Sequence, residues 1–394
     1  IAWRMEQEEF MKDINWLSQL KLRVSYGETG SQSITPYSTF SDYARVMDYA
    51  TANGEKELAA VVSKLQNDGL KWERTSSWNA GFDFGVLKQR ITGSFEYYKK
   101  KTSDLLINRD LPLSSGFASV TMNQGSLTNE GVEFSLDATI IDNKEFQWSL
   151  GGNIGYNKTK ITELGLPESV FSDNVKGRGY LGNTLGSHFG VANIFLEGKA
   201  PGLFYGYQTD GLFVDQAEID AAPEQLVSKT NIKPGYVKYK DISGPDGVPD
   251  GKVDANYDRC ILGTTTPKFY YGLNINATYK GFDFSFLLQG AGNRSTYLTG
   301  GWYFQPFQAD RSPKYMGNVM TMFLDRWTED NPNPNAFSPR LSYGANANNY
   351  KTSTWWQRDA SYLRIKNIEL GYTLPENLTK KIHAKSMRVY LQGV

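Results

Sequence analysis

Apolar and polar residues alternate with a period of two along most of this chain, the signature of strands with two unlike faces. Trp78, Ala80, Phe82, Phe84 and Val86 share one face, against Asn79, Gly81, Asp83 and Gly85. After a short link at Lys88-Gln89-Arg90, Ile91, Gly93, Phe95 and Tyr97 alternate with Thr92, Ser94, Glu96 and Tyr98. The same pattern recurs at 132–140, 146–157, 269–279 and 282–288, with turns at Asp142-Asn143-Lys144 and Lys280-Gly281. Further strands are expected at about 20–27, 361–373 and 386–394, the last two with a bulge near Lys366. Runs of about 10–12 residues exceed the ordinary ~5–6 and suit a tilted membrane crossing.

The spacing between strands carries more weight than the alternation, which a soluble β-sandwich shares. Tight links at 88–90, 142–144 and 280–281, and a modest one at 374–385, alternate with long links at 28–76, 102–129, 158–267 and 291–360. Outer-membrane barrels have this layout, with short periplasmic turns and long extracellular loops. Tyr97, Tyr98, Tyr156, Tyr270, Tyr271 and Tyr279 at strand ends suit interfacial girdles. Mid-strand Asp83, Glu96, Glu133, Asp137 and Asp283 need water, a channel or another domain beside them, because a lone buried carboxylate is costly. The expected fold class is therefore all-β: a transmembrane antiparallel β-barrel with long extracellular loops. A further hairpin is expected around Phe204–Tyr207, and a short loop helix at Glu55–Leu65, where Leu58, Val61, Val62 and Leu65 are spaced helically.

Composition narrows the function classes. Lys and Arg number 42, as do Asp and Glu, so the chain lacks the basic footprint of a nucleic-acid binder. A single Cys excludes a disulfide framework, and two distant His leave no zinc cluster. A mean hydropathy of −0.48 reads as soluble, but a β-barrel hides its lipid face in alternation and passes that test unnoticed. Nine counted strands cannot close a bacterial single-chain barrel, whose count is even. With Ile1 preceded by no visible leader and the chain stopping within an alternation, a segment of a longer protein is expected.

Four stretches then resemble a known family. They are Asp104-Leu-Leu-Ile107 with Leu111-Pro-Leu-Ser-Ser-Gly116, Asn123-Gln-Gly125 and Asn129-Glu-Gly131-Val-Glu133; Gly202-Leu-Phe-Tyr-Gly-Tyr207 with Asp210-Gly211-Leu-Phe213; Gly235-Tyr-Val-Lys-Tyr-Lys-Asp241 through Asp254 to Asp258-Arg259; and, most specific, Arg358 through Pro375. Their order and spacing resemble the SusC/RagA family of TonB-dependent outer-membrane transporters. The resemblance implies that residues 1–394 are the C-terminal part of a large plugged barrel, with the plug domain, the TonB-contacting N-terminal region and the closing strand lying outside this sequence. It implies a multi-pass protein of the cell outer membrane, in contact with lipid. Its expected activity is import of oligosaccharides or oligopeptides with a SusD-like surface lipoprotein as lid, driven through the TonB complex. A passive porin-like channel, or a soluble secreted carbohydrate-binding β protein, is the alternative.

No catalytic constellation is present: His188 and His383 lie in different segments and Cys260 has no His nearby. The strongest local signal is Asp241, Asp246, Asp250, Asp254 and Asp258, interleaved with Gly and Pro, a candidate loop for Ca²⁺ through carboxylate oxygens. Against an EF-hand pattern, Val248 occupies an expected ligand position, so a solvated structural turn is the competing reading. Trp302, Tyr303, Phe304, Trp355 and Trp356 in the last long link are candidate stacking platforms for sugar rings, with Asn346, Asn348 and Asn349 as hydroxyl partners; packing within the loop is the alternative.

Overall fold

The computed structural model describes residues 1–34, 36–50, 54, 56–167, 178–181, 193–228, 230–298, 320–342 and 346–393. It divides into two compact units, Ile1–Asp137 with Asn157–Glu168, and Ala138–Tyr156 with Ser169–Val394. Ten strands form the main sheet: β1 (Ala2–Arg4), β2 (Leu17–Ser31), β3 (Glu73–Val86), β4 (Ile91–Ser103), β5 (Ser126–Asp142), β6 (Phe146–Glu163), β7 (Phe269–Tyr279), β8 (Phe282–Gly292), β9 (Tyr362–Thr373) and β10 (Arg388–Gly393). Their hydrogen-bonded order is the chain order. The nine expected strands are all present, β2 to β6 and β8 running longer than the alternation alone delimits, and β1 is an addition.

Register places like with like. On one face Tyr26, Val24, Leu22 and Leu20 oppose Trp78, Ala80, Phe82 and Phe84, and Phe82 opposes Phe95. In the second unit Trp148, Leu150 and Ile154 oppose Ala277, Ile275 and Tyr271, and Phe282, Phe284 and Phe286 oppose Tyr372, Leu370 and Ile368. Tyr98 pairs with Asn79, and Tyr270 with Ala291, so these two rings stand on the polar face and not with Tyr97 and Tyr279. Between β8 and β9 the pairing steps from Leu287–Asn367 to Leu288–Ile365, leaving Lys366 unmatched as the expected bulge.

Turn chemistry accounts for the tight links. Lys280 and Gly281 both take positive φ, 47° and 92°, as a two-residue turn of type I′ requires. Asn143 accepts hydrogen bonds on Oδ1 from the N–H groups of Glu145 and Phe146 at 3.0 and 2.7 Å. In a sheet whose order follows the chain, alternate links emerge at opposite ends, so the short links lie at one end and the long ones at the other.

Among the described residues, nothing buries the apolar face of this sheet. Val24 is 49% exposed, Trp78 55%, Ile154 49%, Phe282 51% and Leu370 50%. The buried core lies instead within the long links. Tyr207, Leu212, Val227, Val237, Tyr239, Val253, Trp327 and Ala336 form one cluster, and Ile194, Leu196, Leu203 and Tyr205 another. The hairpin expected around Phe204–Tyr207 is part of a four-stranded sheet of Gly179–Leu181, Asn193–Leu196, Leu203–Tyr207 and Arg259–Thr264. The expected helix at Glu55–Leu65 is absent: Tyr43–Ala50 and Lys56–Val62 form a β-hairpin. A two-turn apolar spacing is too short to sustain a helix without packing, and adjacent Val61 and Val62 favour strand.

Candidate functional site

The acidic loop is built by its carboxylates acting on its own backbone. Asp258, 1% exposed, accepts on Oδ1 from the N–H groups of Ile242 (2.7 Å) and Ser243 (3.2 Å), and on Oδ2 from that of Asp254 (2.8 Å). Asp254 accepts from Asn256 and Tyr257 at 2.6 and 3.1 Å, Asp241 from Gly251 at 2.6 Å, and Asp250 from Lys252 at 3.1 Å. Asp246 is exposed at the tip. Apart from Lys252–Val253, which pairs with Glu224–Gln225, this Gly- and Pro-rich segment forms no helix or strand, so side chains satisfy many of its N–H groups. Among the described residues no three His, Cys, Asp or Glu side chains converge where a metal ion could be held. Four of the five carboxylates thus serve as acceptors for the loop's own N–H groups, the arrangement of a structural turn.

The aromatic candidates separate. Trp302, Tyr303 and Phe304 lie outside the described residues. Trp356 is 1% exposed, with its indole N–H donating to the Asn349 carbonyl at 2.7 Å, so it offers no ring face to a sugar. Trp355 packs half-buried against the cluster that holds Tyr207 and Tyr239. Asn346, Asn348 and Asn349 are buried too. Asn348 Nδ2 donates to the Val237 carbonyl (3.0 Å), and Asn349 Oδ1 accepts from the Val237 N–H (3.0 Å). Asn346 Oδ1 caps the N–H groups of Asn348 and Asn349 at 3.1 Å each, and the Tyr239 hydroxyl donates to the Asn348 carbonyl. Burial raises the Tyr239 hydroxyl well above its ordinary pKa and pushes that of Tyr207 up to about 12, so both remain neutral donors. These residues tie the links at 203–239 and 346–356 into one core.

Cys260 stands in the strand Arg259–Thr264, its sulfur facing the amide of Gln208 at 3.5 Å. Burial raises its thiol pKa, which opposes thiolate chemistry.

Aromatic rings that do face solvent occur in the link from 32 to 72. Tyr37 is 77% exposed, Phe40 57%, Tyr43 73% and Trp72 60%, with Tyr37 and Phe40 centroids 6.4 Å apart. Sequence reasoning passed them over in favour of clustered tryptophans.

The polar face of the main sheet carries two charge clusters. In the first unit Arg23 donates to Asp83 at 2.8 Å and to Glu96 at 2.5 Å. In the second, Arg388 bridges Asp283 and Glu369. The carboxylates Asp83, Glu96 and Asp283 were expected on this face, but their arginine partners were not. Each cluster keeps one more carboxylate than guanidinium, on a face that also carries Asn79, Ser94, Asn274 and Thr278 together with Lys21, Glu133, Asp137, Tyr98 and Tyr270. Such a surface suits a hydrated passage.

Comparison with known proteins matches residues 13–243 to the family described as "TonB dependent receptor-like, beta-barrel". The chain is 32% identical over 394 residues to the TonB-dependent receptor P3 of Formosa agariphila, covering 100% of this chain and 36% of that protein. It is 31% identical over 401 residues to the TonB-dependent receptor SusC of Bacteroides thetaiotaomicron, covering 99% and 35%. Among solved structures it resembles the RagAB peptide transporter, with a TM-score of 0.74 and 25% identity over 99% of this chain and 38% of that one. The chain spans about a third of the length of the curated relatives it matches.

Proposed function

Because this chain belongs to the TonB-dependent receptor-like β-barrel family, a family of receptors and transporters and not of enzymes, we propose that it forms part of an outer-membrane importer of oligosaccharides or oligopeptides. It works with a SusD-like surface lipoprotein and draws energy through TonB. The observation that carries the reading is the uncovered apolar face and its two aromatic borders. Tyr26–Trp78 (4.7 Å between centroids) and Tyr156–Phe269 (5.1 Å) lie toward the long links, and Phe146–Tyr279 (6.1 Å) and Phe282–Tyr372 (4.5 Å) toward the short ones. From Tyr156–Phe269 to Phe146–Tyr279 the register runs ten residues, roughly 34 Å along a strand. At a tilt of ~40° that is about 26 Å of height, close to the apolar band of outer-membrane barrels. A soluble sandwich would bury this face; lipid covers it here.

On this reading the polar face with its Arg23 and Arg388 clusters lines the interior. The links at 32–72 and 164–268 meet the outside, where Tyr37, Phe40, Tyr43 and Trp72 offer ring faces to a cargo. The decisive experiment is purification of the intact protein from outer membranes in mild detergent, with mass spectrometry of everything retained. A stoichiometric lipoprotein carrying an oligosaccharide or peptide is the expected result. A lone barrel that conducts solutes without TonB would replace the importer with a passive channel.

A further inference from the structure

The link from Leu374 to Met387 closes the last hairpin at the short-turn end, just beyond the Phe282–Tyr372 pair. It is ordered from within. The Leu374 N–H donates to the Met387 carbonyl at 2.9 Å, a single α turn (Glu376–Thr379) runs into a 3-10 turn (Lys380–Ile382), and His383 reverses the chain at φ 55°. The Ala384 N–H then returns to the Thr379 carbonyl at 3.0 Å.

The knuckle so formed buries only Thr379. Its apolar side chains have no core to enter: Leu378 is 48% exposed, Ile382 60% and Met387 43%. Beside them stand Lys380, Lys381 and Lys385, all exposed. The link's one carboxylate, Glu376, pairs with Lys380 at 3.1 Å. Lys381 and Lys385 have no carboxylate partner among the described residues. Met387 leads directly into Val389 and Leu391, 56% and 77% exposed on the uncovered apolar face.

A preformed turn that displays apolar side chains and unpaired ammonium groups together, continuous with a lipid-facing sheet, matches one environment. Apolar side chains enter the acyl boundary while lysines extend to the phosphates. We propose that this knuckle is a docking site for anionic phospholipid headgroups in the leaflet at the short-turn end, with Lys381 and Lys385 on the phosphates and Leu378 and Ile382 in the acyl region. The proposal rests on the membrane reading above.

Native mass spectrometry of the intact protein, equilibrated with phosphatidylglycerol and phosphatidylethanolamine, tests it. The wild type should retain phosphatidylglycerol preferentially. Lys381→Gln and Lys385→Gln should each lower that retention about fivefold, the factor equivalent to ~1 kcal/mol per basic residue at an anionic surface, with phosphatidylethanolamine unaffected. Inorganic phosphate alone should not compete. Equal retention of the two lipids by the wild type, displacement by phosphate alone, or variants indistinguishable from wild type would each overturn the assignment. If the membrane reading itself were at fault, the protein would enter vesicles of neither composition, a result separable from a lost lipid preference.

Discussion

Single side chains in this protein are most informative where they hold backbone rather than ligand. Asp258 satisfies three N–H groups in a loop with no ladder of its own. Asp258→Ala should destabilise the loop by about 2–4 kcal/mol, since buried donors left without acceptors cost ~1–3 kcal/mol each. Hydrogen exchange at Ile242, Ser243 and Asp254 would read this, and calcium or chelator should make no difference to the wild type. Protection that rises with calcium would restore the ion. The recurrence of Asp at short intervals was legible in the sequence; its purpose was not. Metal chelation and turn capping use the same residue type at similar spacings, and only the placement of the N–H groups separates them. The same limit hid Arg23 and Arg388, whose partners are set by cross-strand register over 19 to 105 residues of separation.

At the scale of the strand, legibility was high because alternation is local. Each strand face followed from the residues two apart, and even the bulge at Lys366 showed as a skipped beat between Ile365 and Ile368. The bulge gives a sharp test. Deleting Lys366 leaves every facing pair of β8 and β9 intact and should be tolerated, whereas deleting Glu369 transfers one flank of β9 to the wrong face. The folded fraction of the two deletions after refolding into lipid should differ sharply. Equal damage from both would mean that the bulge is itself required. The failure at Glu55–Leu65 has the opposite cause: with four apolar positions, periods of 3.6 and 2 are not distinguished, and pairing with Tyr43–Ala50 decided the outcome.

For the whole molecule, the two faces of the sheet make opposite demands. Phe286→Arg, midway between the aromatic borders, should cost ~2–4 kcal/mol in lipid, the range for a cation at the midplane of a barrel's outer face. Ser285→Arg, its neighbour on the polar face, should cost far less. Urea titrations in lipid vesicles would compare them, and equal costs would remove lipid from that face. Long and short links were read correctly as alternating. What filled the long ones was legible only in part, as the hairpin at Phe204–Tyr207, because a loop core is assembled from distant pieces such as Val237 and Asn349 that carry no shared periodicity.

That separate core bears on how the sheet is put together. Most neighbouring strands are also neighbours in the chain, so pairing can advance one hairpin at a time with little loss of chain freedom. The longest step is from β6 to β7, where residues 164–268 intervene. As a random coil that segment would make closure the slowest step of assembly. Part of it instead packs into the loop core around Tyr207, Val237, Tyr239 and Val253, which shortens the chain left free. Weakening that loop core at Tyr239 should therefore slow insertion of the strands on either side without touching a contact of the main sheet.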